Sequence, residues 1–275
     1  LDAPIPVEPA ALDLVFRRAQ ADTRLVRRRV AYPYAIQAPL RPARAAAGCH
    51  VIVQSASGGL FSGEQLRQCL AVESGADARL ELPAATTVHA MRDGGQAEVE
   101  VEVEIAPGGC LAYLARPLIL FPQSQVTQRF RFRLAAGATL IFRDGFMTHD
   151  PWAAGEHFRL LANEIDLCSA AGRRILLDRQ SVTGLALAAG GPGIIGPYRA
   201  FGTLLLASLR PAPWTELAQS LQAVEMPGLH VAATPLRREA GLLVRLAALD
   251  GGGLDDGMLR FTERLEAIQA ELPGP

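Results

Sequence analysis

From Gln96 to Ile105 the chain reads QAEVEVEVEI. Val99, Val101, Val103 and Ile105 fall on one side of an extended backbone, and Glu98, Glu100, Glu102 and Glu104 on the other. Period-2 alternation marks a β-strand, because successive Cβ atoms leave opposite faces of the pleat; a helix would scatter the valines around its circumference. Such a strand has an apolar face that must be covered and an acidic face that water can reach. It therefore requires a sheet packed on one side, most simply an antiparallel one. Gly94-Gly95 before it and Pro107-Gly108-Gly109 after it are turn signals.

The same rhythm extends in both directions. Candidate strands cover residues 50–54, 65–73, 79–82, 86–91, 111–114, 118–121, 127–134, 139–143, 157–163, 164–168 and 174–178, with glycine turns at 55–63 and 75–77. In TQRFRFRL, Phe130, Phe132 and Leu134 alternate with Arg129, Arg131 and Arg133, which suits a strand lying opposite the acidic one. Upstream, a strand over 14–26 leads into RLVRRR at 24–29, read as a solvated edge that discourages pairing with other chains. A partner-facing patch is the other reading of that cluster. Pro33, Pro39 and Pro42 exclude regular structure to about Ala45. Residues 184–196 read as a loop, since Gly190-Gly191-Pro192-Gly193 lacks a phosphate-loop pattern. After a strand at 201–209 the period changes: Trp214, Leu217, Ala218, Leu221 and Val224 make one face of a helix. Short strands at 229–234 and 242–249 precede a last helix over 255–272. The expected fold is mainly β, with many-stranded antiparallel sheets in a sandwich or meander and about two helices in the C-terminal third. The expected organisation is one domain over 1–275, with a loose segment at 1–13 and a helix-containing part at 211–275.

Composition removes several functions. The net charge of −1 makes no electrostatic case for nucleic acid or an anionic membrane. All 27 basic residues are arginine, so Schiff-base lysine chemistry and a lysine-containing phosphate loop are excluded. Cys49, Cys69, Cys110 and Cys168 are far apart and form no CxxC pair, which argues for free, buried thiols. No apolar run near the start suits a signal peptide, and none approaches the ~20 residues of a membrane span. A soluble protein in a reducing cytoplasm is expected.

The chemically suggestive turn is SASGGLFSGEQL at 55–66, where Gly58, Gly59 and Gly63 allow tight geometry and set Glu64 at the head of a strand. At this point the chain resembles the urease accessory protein family called UreD (UreH in some species). Gly58-Gly59-Leu60-Phe61-Ser62-Gly63-Glu64 resembles the family's GGxxxGD turn, and Leu82-Pro83-Ala84-Ala85-Thr86-Thr87 its threonine/alanine-rich strand. Gly108-Gly109-Cys110-Leu111-Ala112-Tyr113-Leu114 with Pro117-Leu118-Ile119, then residues 128–133 and Ala136-Gly137-Ala138, are similar to its following runs. His149-Asp150-Pro151 with Gly155-Glu156-His157-Phe158 resembles a variant of its "GR…GE.F" segment. The resemblance covers residues 50–180 well; Gly196-Pro197-Tyr198 and Phe201-Gly202-Thr203-Leu204 are weaker anchors.

The resemblance implies a scaffold, not an enzyme. It implies direct binding to UreF, contact with UreG through UreF, docking on apo-urease, and a dimer of UreD–UreF pairs. It also implies an internal passage for Ni²⁺ in transit, with no tightly bound cofactor. Such a passage needs ligands that admit nickel and release it, as carboxylates and imidazoles do and thiolates do not. Glu64 and Glu156 carry over by motif, and His149, Asp150 and His157 complete the candidate nickel-path residues. Glu64, Val88, Ala112, Arg116 and the His149-Asp150-Pro151 run depart from the family pattern. His50, His89 and His230 read as structural. Two alternatives stand beside the scaffold: a metal-dependent hydrolase around His149, Asp150 and His157, and a β-sandwich interaction module with no metal role.

Overall fold

The structure, a computed structural model, describes residues 10–40, 48–190 and 195–273. The expected loose segment before Ala10, the run from Pro42 to Ala45 and the loop core Gly191-Pro192-Gly193 lie outside the described residues.

Seventeen strands are formed among the described residues. The first half holds β1 (Leu12–Ala19), β2 (Asp22–Val30), β3 (Tyr34–Ile36), β4 (Cys49–Ser55), β5 (Gln65–Val72), β6 (Asp77–Leu82), β7 (Thr86–Val88), β8 (Ala97–Ile105) and β9 (Cys110–Ala115). Then come β10 (Leu118–Leu120), β11 (Gln125–Leu134), β12 (Thr139–Thr148), β13 (Leu160–Ser169) and β14 (Arg174–Val182). After helix α1 (Gly184–Ala188), β15 (Ala200–Ser208) leads to α2 (Trp214–Gln222), β16 (Leu229–Pro235), β17 (Gly241–Ala248) and α3 (Gly251–Glu271). The short α1 lies in the stretch expected to be loop; Thr183 caps it by accepting from the Ala186 N–H at 3.3 Å.

The strands form two facing sheets. The first runs β14-β13-β11-β8-β5-β1-β2, and the second runs β16-β17-β15-β12-β9-β6-β4-β3, with β10 alongside β12 and β7 alongside β10. Neither is purely antiparallel. In the first sheet β1, β5, β8, β11 and β13 are mutually parallel, and in the second so are β4, β6, β9 and β12. The reason lies in the turns. Gly75-Ala76 and Pro107-Gly108-Gly109 do not fold a strand back on its neighbour. They carry the chain from β5 to β6 and from β8 to β9, from one sheet to the other. Antiparallel hairpins, β1–β2 and β13–β14, occupy both edges of the first sheet.

Other expectations are corrected locally. Residues 14–26 are a hairpin rather than one strand, turning at Gln20 with φ 57°. Tyr34–Ile36 forms a strand where the prolines suggested none. Residues 157–163 and 164–168 are not two strands; β13 runs unbroken from Leu160 to Ser169. The last helix starts at Gly251 because the Asp250 carboxylate accepts from the Gly253 N–H at 2.8 Å, capping the first turn.

Burial follows the pattern. Val101, Val103 and Ile105 of β8 are buried between the sheets, each contributing about 1.5–3 kcal/mol. The acidic face meets arginine: Arg129 reaches Glu98 at 3.2 Å, Arg67 reaches Glu102 at 2.6 Å, and Arg131 pairs with Glu100. The second sheet is covered on both sides, since α2 and α3 pack Trp214, Leu221, Leu254, Met258, Phe261 and Leu265 on its outer face. That is why β12 is buried on both faces along most of its length.

Candidate functional site

Glu64 closes its own turn. Its carboxylate accepts from the Phe61 N–H at 2.9 Å, and its N–H donates to the Phe61 carbonyl at 3.2 Å. The other four predicted residues, His149, Asp150, Glu156 and His157, line one cavity of about 200 Å³, together with Leu187 of α1. Sharing a cavity does not make them ligands of one ion. Asp150 accepts from the Gly155 N–H at 2.8 Å and the Glu156 N–H at 3.3 Å, so its carboxylate organises the loop. Among the described residues no three His, Cys, Asp or Glu side chains gather as a metal centre would require.

Glu64 is nevertheless linked to that cavity by a ladder of rings. Phe61 stacks on His89 with centroids 4.4 Å apart, His89 meets Phe121 at 5.8 Å, and Phe121 meets His149 at 5.1 Å. Phe61, at the start of the ladder, is 44% exposed. Gly59 makes the ladder possible: with φ 143°, a Cβ there would stand 2.3 Å from the Thr87 carbonyl oxygen and 2.9 Å from the His89 ring.

A second feature lies deeper. Two neighbouring strand lines of the second sheet are interrupted at one level, beside the continuous β12. The chain breaks between β6 and β7 at Pro83, and between β9 and β10 at Arg116-Pro117; β12 passes the same level through Arg143-Asp144-Gly145. Proline lacks the N–H that a ladder needs, so pairing lapses there. Along this seam a cavity of about 200 Å³ opens into the inter-sheet space, lined by Ala84, Thr86, Tyr113, Arg116, Gln128 and Asp144. Inside it Gln68 donates to the Tyr34 hydroxyl at 2.8 Å, and the Tyr113 hydroxyl donates to Gln68 at 3.1 Å. Burial pushes the Tyr34 hydroxyl up to about 12 and raises Tyr113 as well.

Asp144 also lines a further cavity, of about 360 Å³, with Asn163, Gln180, Thr203, His230 and Arg245. It is 3% exposed and accepts from the Asn163 amide at 3.0 Å. Burial raises its carboxyl to about 7, against the Gly145 N–H, the Asn163 amide and the Arg245 guanidinium, which favour the charged form. Asn163 Oδ1 is buried and meets no donor among the described residues. Arg245 donates to Thr203 Oγ1 at 2.5 Å and pairs with Asp178 at 2.5 Å. One carboxyl thus stands where two hollows meet, with oxygen-bearing side chains on either side.

The sequence reading missed Asp144. Its signal was an Arg-Asp pair inside the apolar run TLIFRDGFM, which a solvated strand end would explain equally well. The remaining histidines take ordinary places: His50 lies 3.2 Å from Glu81, and His230 lies 6.2 Å from Tyr198 between ring centroids. The basic cluster lies on β2, an edge strand, with Arg27 at 3.3 Å from Asp13 and Arg28 donating to the Ile36 carbonyl at 2.7 Å. Cys49 is buried and the other three free thiols are half-buried. No helix among the described residues is long and apolar enough to cross a membrane.

Comparison with known proteins bears on these features. The family profile described as UreD urease accessory protein matches residues 8–275. The chain is 32% identical over 247 residues to urease accessory protein UreD 1 of Methylorubrum extorquens strain PA1, covering 89% of this chain and 83% of that one. It is 30% identical over 246 residues to UreD 2 of Bradyrhizobium sp. strain BTAi1, covering 88% and 84%. The UreD of Mycolicibacterium smegmatis is 27% identical over 247 residues, covering 90% and 87%.

Proposed function

The chain belongs to the UreD family of urease accessory proteins, and from that premise we propose that it is a non-catalytic scaffold through which Ni²⁺ passes to apo-urease. Its partners in this reading are UreF directly, UreG through UreF, and urease itself, in a cytoplasmic assembly built on two UreD–UreF pairs. The observation that carries the nickel route is the position of Asp144, shared by two cavities on the inter-sheet side of β12. Oxygen donors from carboxylate, amide and hydroxyl groups bind nickel weakly enough to let it go. A buried carboxyl near neutrality exchanges a proton for a cation without a large electrostatic penalty. Glu64 and Glu156 belong at the molecular surface of this route, together with His149, Asp150 and His157. No tightly held cofactor is needed, because nickel is cargo.

The hydrolase alternative has no comparable support, since the Asp150 carboxylate is engaged by backbone N–H groups.

The test is co-expression with UreF, UreG and urease, with mass determination of the assembly and urease activity measured at limiting nickel. Asp144→Asn keeps the shape and removes the charge. An intact assembly with activation reduced at least about tenfold, equivalent to 1.4 kcal/mol, is the expected result. Undiminished activation by Asp144→Asn and Asp144→Leu alike would remove Asp144 from the route. Failure to assemble with UreF would remove the scaffold reading.

A further inference from the structure

The first sheet ends at β14 and the second at β16, and Arg245 of β17 pairs with Asp178 of β14 where the two edges come together. The turn between β16 and β17 also packs against β14, and four arginines meet there. Arg173 and Arg174 stand at the close of the β13–β14 turn, and Arg237 and Arg238 lie in the β16–β17 turn. Together they line a hollow of about 110 Å³ whose apolar wall includes Ile175 and Leu209. The β16–β17 turn uses two consecutive left-handed residues, where glycine would serve without strain; the chain instead keeps Arg238 at φ 61° and Glu239 at φ 54°.

Elsewhere on the first sheet arginine is matched: Arg67, Arg129, Arg131 and Arg179 each meet a glutamate. In the hollow only Arg174 is, through bonds to the two oxygens of Asp166 at 3.0 and 3.1 Å. Among the described residues Arg173, Arg237 and Arg238 form no ion pair, and their guanidinium groups donate no hydrogen bond. Glu239 is exposed and is not part of the wall. Three unpaired arginines against that one acid leave an excess of two positive charges, in a chain whose net charge is −1. Like charges held together repel, and an anion between them removes the repulsion.

We propose that this hollow binds a phosphate group. A guanidinium offers paired, coplanar N–H donors that match phosphate oxygens two at a time. A carboxylate answers one arginine; a tetrahedral dianion answers an excess of two charges and has oxygens enough for donors arriving from two turns. The hollow is larger than the share of one water, about 30 Å³, and smaller than the roughly 300 Å³ at which pockets for whole drug-sized ligands begin. It therefore takes the phosphate alone, either as the free ion or as the end of a molecule whose remainder lies outside. None of the nickel-route residues lines it.

The experiment is calorimetric titration of the full chain with sodium phosphate and with phenyl phosphate at pH 8, where both are doubly charged, at constant ionic strength balanced by chloride. Saturable binding with a stoichiometry of one is expected. Arg173→Gln and Arg238→Gln, both at exposed positions, should each weaken it at least about tenfold. Arg179→Gln, on the same strand but outside the hollow, should change it less than about twofold. Phenyl phosphate bound as tightly as phosphate, or more so, would mark a phosphorylated ligand as the occupant, and tighter binding of phosphate would mark the free ion; either supports the site. No saturable binding of either probe would overturn the proposal. So would unchanged affinity in folded Arg173→Gln and Arg238→Gln proteins, or an equal loss in Arg179→Gln, which would reduce the effect to general surface charge.

Discussion

At the residue scale the adjacent charges of β12 have different consequences. Asp144 has a folded-state pKa of about 7 against an ordinary value of 3.8. The folded protein therefore binds this proton more tightly than the unfolded chain does. The stability it confers is fully present below the unfolded value and is lost as pH rises from about 4 through about 7. Asp144→Asn keeps an acceptor for the Asn163 amide and has no charge to desolvate. Its stability should match that of the unaltered protein near pH 4 and exceed it by a few kcal/mol at pH 8, as measured by urea unfolding across that range. Gly59 gives the opposite kind of prediction. A methyl group there collides with Thr87 and His89 at a backbone angle that side chains avoid, so Gly59→Ala should cost about 1–3 kcal/mol. It should also break the Phe61–His89 stack, visible as a shift of the His89 ring resonances.

At the scale of single elements, the start of α3 is the least secure stretch of helix, with Gly251-Gly252-Gly253 in its first turn. The three glycines are not equivalent. A Cβ on Gly252 meets only Asp250 Oδ1 at 3.5 Å, whereas one on Gly251 runs into the Met147 side chain. Gly252→Ala should stabilise the protein by about 0.5–1 kcal/mol and Gly251→Ala should destabilise it, a pair that thermal melts distinguish. Elements also divide by what their residues disclose. The acidic and arginine strands were legible, because each carries its own alternation and their charges match across the β8–β11 ladder. Their parallel direction was not, since Gly75-Ala76 and Pro107-Gly108-Gly109 use the same chemistry to cross between sheets as to make a hairpin. Asp144 was hidden for a related reason. A charged pair ends a strand that faces water, but β12 is covered on both sides, so Arg143 and Asp144 are sent into two separate interiors. Nothing in TLIFRDGFM records that helices from residue 214 onward will cover its outer face.

At the scale of the whole molecule, the ring ladder from Phe61 to His149 and the hollow beside Asp144 both depend on the second sheet. Pro83 and Pro117, if replaced together by residues able to donate, would let β6 and β9 continue their pairing through the seam, and the cavity should shrink. The first sheet has another consequence. Each of its central strands finds its partners only after the chain has crossed to the facing sheet and returned: β8 waits for β11, and β11 for β13. The protein is thus laid down like a winding, and every unfinished coil carries a raw flank of unpaired N–H and C=O groups. Only the β13–β14 hairpin finishes that side. A chain halted on the ribosome after Leu134 should therefore be captured by chaperones or aggregate, while one released after Val182 should do so less, as sedimentation of stalled nascent chains would register. For such a molecule the hazardous interval is its own synthesis, and a companion present while the later coils are still being made protects it more than one that arrives afterwards.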